Sequence, residues 1–120
     1  MANEIQVTST LTASYGGATV TGSVTKTITL ASPYTMFSQT QNVGTSTEAI
    51  EVPADTSWVW LKNTDATNFV LIDYVSPAAK MKLKAGESMV MRPADSTAPV
   101  IYALADTAAI NLQIIAVGND

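Results

Sequence analysis

The sequence predicts an all-β fold: a single antiparallel β-sandwich over residues 1–120, jelly-roll-like, with about eight or nine strands. Three observations carry this. Short runs rich in Val, Ile, Thr, Tyr and Trp recur at close, regular spacing. Gly, Pro, Asn and Asp clusters separate them. No stretch shows sustained helical periodicity. Antiparallel sandwiches and small barrels both have this grammar, and the strand number favours a jelly-roll-like pattern over an immunoglobulin one.

Residues 4–13, EIQVTSTLTA, alternate. Ile5, Val7 and Leu11 share one face, and Gln6, Thr8, Thr10 and Thr12 line the other, as in a one-sided strand. Gly16-Gly17 follows, where positive φ is permitted. Residues 18–30, ATVTGSVTKTITL, form a second Thr-rich strand. Val20, Val24, Ile28 and Leu30 keep step on one parity, and Gly22 on that parity suggests a bulge or a close backbone approach. Residues 31–47 lack sustained periodicity and read as a loop. Tyr34, Met36 and Phe37 stand out in it, either as a lid folded back over the chain's own Trp residues or as contacts for a partner. Residues 48–53 give a short strand ended by Pro53.

Residues 57–74 are the centre of the pattern. Ser57–Lys62 and Asn68–Tyr74 are apolar runs joined by Asn63–Thr67, which predicts an antiparallel hairpin. Both faces are apolar: Trp58 and Trp60 point one way, Val59 and Leu61 the other. One face fills the core, and the other needs a second cover, a loop or another subunit. Residues 80–92 read as a second hairpin around Ala85-Gly86-Glu87, pairing Leu83 with Met89 and Met81 with Met91. Residues 99–105 and 109–117 are two further strands joined by Asp106-Thr107-Ala108. Gly118-Asn119-Asp120 reads as a fraying tail.

Composition removes several chemistries. There is no Cys and no His, so disulfides, thiolate metal sites and Ser–His–Asp triads are excluded. No carboxylates fall at calcium-loop spacing, Glu48, Glu51 and Glu87 single out no acid–base pair, and no cofactor is expected. Net charge is −4 and only 13% of residues are charged, against about 25% in an ordinary domain. This argues against a general electrostatic grip on nucleic acid or anionic membrane. The N-terminus lacks a signal-peptide pattern, and no apolar run approaches a membrane helix, so synthesis in a cytoplasm is expected. Lys80, Lys82, Lys84 and Arg92 are four of the six basic residues. They read as a guard on an exposed strand edge or as a docking patch for an acidic surface. Trp58 and Trp60, about 7 Å apart along a strand, could stack on a sugar ring, although packing is the commoner fate of such a pair.

The run KLKAGESMVMRP, followed by PVIYALADTAAINLQIIAVG, resembles the C-terminal half of small virion proteins of tailed bacteriophages, over roughly residues 57–118. In them a polar A-G-E loop joins two strands, and an I-Y-A-x-A strand precedes an apolar closing strand. The resemblance implies a non-enzymatic structural part of the virion, a capsid decoration or cement protein or a head or tail component. It implies a symmetric homo-oligomer, a trimer being one closed form, held against the major capsid protein or another virion protein and assembled in the host cytoplasm. Tyr34, Met36, Phe37, Trp58 and Trp60 are the expected protein contacts. A carbohydrate-binding adhesin module is the alternative.

Overall fold

The computed structural model describes residues 4–33, 35–74, 81–94 and 99–118. Among these residues the protein is all-β, with ten strands and no helix. Eight strands build a sandwich of two four-stranded antiparallel sheets, and two build a separate arm. The arm strands are β1 (Glu4–Tyr15) and β2 (Ala18–Thr29). The sandwich strands are β3 (Thr35–Val43), β4 (Glu48–Ala49), β5 (Trp58–Asn63), β6 (Val70–Tyr74), β7 (Met81–Leu83), β8 (Ser88–Met91), β9 (Ile101–Ala105) and β10 (Ile110–Gly118).

One sheet runs β3-β10-β5-β8 and the other β4-β9-β6-β7. The sandwich strands are therefore nested: first with last, second with seventh, third with sixth, fourth with fifth. Successive nested pairs fall in alternate sheets. Alternation along the strands fills the space between the sheets. Val59, Leu61, Val70, Ile72, Ile101, Ile110, Leu112 and Ile114 are all fully buried there. Burying each contributes roughly 1.5–3 kcal/mol before entropy is counted.

Both expected hairpins are absent. β5 pairs with β10 and β8, whereas β6 pairs with β9 and β7. Asn63–Thr67 is an arch from one sheet to the other, and so is the link between β7 and β8. Inward parity does not separate the two cases, because an arch and a hairpin both return the chain with its apolar side toward the core. Buried polar chemistry separates them. The Asn63 side chain is fully buried, and its Nδ2 donates to the carbonyls of Asn68 (2.8 Å) and Leu83 (3.1 Å). Its Oδ1 accepts from Asp65 N–H at 3.0 Å. The second arch locks onto the same residue: Gly86 N–H donates to Asn63 O (2.9 Å), and Asn63 N–H donates to Glu87 O (3.0 Å). Gly86 has φ 80°, the conformation of the third residue of a type II turn, where a Cβ is costly.

Residues 35–43, expected as loop, form edge strand β3. Its inward face carries Gln39 and Gln41 where apolar residues would have revealed a strand. These amides reach across the open edge of the sandwich. Gln39 Nε2 donates to Glu51 Oε2 (3.1 Å), Gln41 Nε2 donates to Glu48 Oε1 (3.3 Å), and Gln41 Oε1 accepts from Glu51 N–H (2.9 Å). Hydrogen bonds do at this edge what apolar contact does in the middle. Gly118, expected to fray, ends β10 opposite Thr35 and is buried. A Cβ there would collide with Asp55 O and lie 2.8 Å from Ser57 N.

The first two Thr-rich strands do not join the sandwich. They pair with each other from Glu4↔Thr29 to Tyr15↔Ala18. Gly16 and Gly17 turn the chain with φ 57° and 84°, the two positive values of a type I′ hairpin turn. Gly22 pairs with Leu11 within a continuous register, so it marks neither a bulge nor, with open space around its Cα, a close backbone approach. Each arm strand has 12 residues, or about 40 Å of ribbon. The radius of gyration is 15.6 Å, against about 14 Å for a compact chain of this length.

Candidate functional site

The outer face of the β3-β10-β5-β8 sheet is divided by register into an apolar end and a polar end. Val117 pairs with Met36 on one side and Trp58 on the other. In the next outward row Ile115 lies between Ser38 and Trp60, and Trp60 pairs with Val90. One row further the set becomes Thr40, Gln113, Lys62 and Ser88. Trp58, Trp60, Val90, Ile115 and Val117 are half-buried, and Met36 is exposed. The cross-strand contacts among them suit aromatic and β-branched pairs.

The base of the arm overhangs this apolar end. Ile5 and Leu30 are buried and Val7 is half-buried. Residues 4–10 of β1, with Leu30, form one wall of a groove whose floor includes Met36, Trp58, Trp60, Val90, Ile115 and Val117. The groove encloses about 730 Å³, within the size range of small-ligand sites. The Arg92 guanidinium carbon lies 5.3 Å from the centre of the Trp58 ring, within cation–π range. The Trp58 indole N–H is buried and has no hydrogen-bond partner among the described residues.

Of the five expected contact residues, Met36, Trp58 and Trp60 come together on this surface. Phe37 does not. It pairs with Ala116 on the inward parity and packs against the core, so it supports the sandwich and is not on the outer face. Tyr34 lies outside the described residues, as does Lys80. Lys82 and Lys84 are exposed at and beside β7, which is a sheet edge. Lys82 Nζ sits 4.3 Å from the centre of the Phe69 ring. Sequence reasoning missed Ile115, Val117 and Val90. The signal was present for the first two: in Ile114-Ile115-Ala116-Val117 both parities are apolar, the same two-faced pattern as in Trp58–Leu61.

Beyond the groove the arm stands clear of the sandwich. From Thr8 to Tyr15 and from Ala18 to Thr27 every residue is exposed. Leu11 is 78% exposed, Tyr15 92%, Val20 69% and Val24 63%. Beyond Thr10, the last β1 residue lining the groove, about 16 Å of ribbon therefore projects with large apolar groups in solvent. Among the described residues no group of three or more His, Cys, Asp or Glu side chains could hold a metal ion.

Compared with known proteins, the chain matches no family model, no curated protein and no solved structure.

Proposed function

We propose that the protein is a non-enzymatic structural component of a tailed-phage virion, oligomerising and binding the capsid surface as a decoration or cement protein. One observation carries the reading. The sandwich closes its own core, yet a long arm and an apolar outer-sheet end remain that contribute nothing further to that core. Exposed apolar surface of this extent on a small domain favours contact with other protein. We read the nested strand order as a jelly roll, an architecture that also serves in viral capsid and lectin domains.

The test has two parts. The gene should lie beside a major capsid gene, and the full chain should co-sediment with capsids of that phage. A gene set among metabolic genes, with no co-sedimentation, would overturn the reading. The alternative, a carbohydrate-binding adhesin module, draws on the two indoles in the groove. Glycan-array binding that is lost in Trp60→Ala would favour it instead.

A further inference from the structure

We infer that the apolar face of the β1–β2 arm is a self-association surface, covered by the same face of the arm of a second copy of this chain. This deepens the reading of an oligomeric virion component by naming the surface through which copies meet.

The register sorts the arm into two unlike faces. One face carries Ile5/Ile28, Val7/Lys26, Ser9/Val24, Leu11/Gly22, Ala13/Val20 and Tyr15/Ala18. The other carries Thr8/Thr25, Thr10/Ser23, Thr12/Thr21 and Ser14/Thr19. Three of these hydroxyl pairs are bridged at 3.1 Å. The ribbon is thus amphipathic, with Ser9 and Lys26 the polar positions on its apolar face. The sandwich covers the apolar face only at the base, where Ile5 is buried and Ile28 half-buried.

Charge selects the occupant. Glu4 and Lys26 are the arm's only charged residues, and both lie near its base. The projecting part offers no charge for an acidic or basic partner to match. An identical ribbon matches it in length, in width and in polarity. Two such ribbons stacked face to face at the usual sheet spacing of about 10 Å would bury both apolar faces and leave both hydroxyl faces wet. A contact of one patch with its own copy is isologous and closes.

The area agrees. At roughly 100 Å² per aliphatic and 200 Å² per aromatic side chain, Leu11, Tyr15, Val20 and Val24 expose about 400 Å² per copy. With Ala13, Ala18 and the ribbon backbone, two copies bury about 1,000 Å², the lower limit for a specific interface. The association is therefore weak for two free copies and gains strength where many copies are held side by side.

Sedimentation velocity on the full chain over a concentration series tests this. The wild-type chain should self-associate reversibly. The near-isosteric pair Val20→Thr and Val24→Thr keeps β-branching and should raise the dissociation constant at least tenfold, with the thermal unfolding of the sandwich unchanged. The chain has no Cys, so single cysteines report geometry directly. Ala13→Cys, on the apolar face, should be joined between copies by a short bis-maleimide, and Thr12→Cys, at the same height on the hydroxyl face, should not. A wild-type chain that stays monomeric throughout, a double variant that associates like wild type, or equal crosslinking at both cysteines would each overturn the inference. Capsid co-sedimentation is scored separately: a monomeric chain that still binds capsids removes the arm contact and leaves the virion reading standing.

Discussion

Removing the Asn63 side chain should cost the sandwich about 3–4 kcal/mol. In Asn63→Ala the Asn68 and Leu83 carbonyls each lose a donor, and the Asp65 N–H loses its acceptor. An unsatisfied buried polar group costs about 1–3 kcal/mol. The Leu83 bond is fully buried and should carry the upper value, while water can partly replace the other two. Asn63→Asp should be at least as damaging despite its shape, because a carboxylate cannot donate to either carbonyl. Total stability is of order 5–15 kcal/mol for domains of this kind, so the loss is a large share of it. Urea unfolding followed by Trp58 and Trp60 fluorescence is the assay. With a slope of about 2 kcal/mol/M, the midpoint should fall by about 1.5–2 M. Asn111→Ala is the control. Its Oδ1 accepts from Asn42 Nδ2 at 3.2 Å in an exposed position, and such changes stay within about 0.5 kcal/mol. If Asn63→Ala shifts the midpoint no more than the control, the arch is held by packing and the polar argument is wrong.

Gly118→Ala forces a Cβ against the Asp55 carbonyl and should destabilise by about 1–3 kcal/mol, read as a lower melting temperature. Asp65 accepts from Asn68 N–H (2.6 Å) and Thr67 N–H (2.9 Å), and these bonds, Asn68 first, hold its carboxyl below the ordinary 3.8. A depressed folded value means stability present above the unfolded value and lost as pH falls through the folded one. The stability difference between wild type and Asp65→Asn should therefore shrink as acid is added below about pH 4, and a gap that is constant with pH would refute this. Tyr15→Ser, at a position 92% exposed, should leave the melting temperature of the dilute chain unchanged. Amides of the projecting arm should exchange rapidly in dilute protein, since an isolated two-stranded ribbon is marginal in water. They should slow on self-association, while Leu61 and Ile114 stay protected in both conditions.

Much of the fold is legible because it rests on period-two alternation. Trp58–Lys62, Val70–Tyr74, Ile101–Ala105 and Ile110–Val117 are strands for the reason the sequence suggests: β-branched and aromatic residues on a pleated surface. What alternation leaves open is the partner of each strand. Leu83 and Met89 face the core whether they sit across one hairpin or in opposite sheets, so the pairing between them was a natural expectation and a wrong one. β3 was hidden for a related reason. Its inward Gln39 and Gln41 are held by Glu48 of β4 and by Glu51 just after it, and such bonds exist only once the sandwich has formed. At the outer surface, the doubled apolar faces of β5 and of the end of β10 were visible beforehand. Their convergence on one end of one sheet depended on register, which the residues alone did not reveal.

The arm sharpens the same point. Alternation in Ile5-Gln6-Val7-Thr8 states that one face leaves water, and it does not state whose surface covers that face. Within the sandwich the cover is intramolecular, and the outward positions there include Trp58, Ile115 and Val117, half-buried beneath the arm base. On the arm the outward positions beyond Gln6 are Thr and Ser, three pairs of them bridged across the strands, and the apolar positions run out past the groove. A ribbon meant only to wall the groove could end after Thr10 and Ser23. The further residues to Tyr15 and back add exposed apolar surface and unpaired strand edges, both liabilities for a solitary chain. They become favourable when another surface of the same polarity lies against them. The length of the arm beyond its own groove is thus the quantity on which the proposed self-association rests.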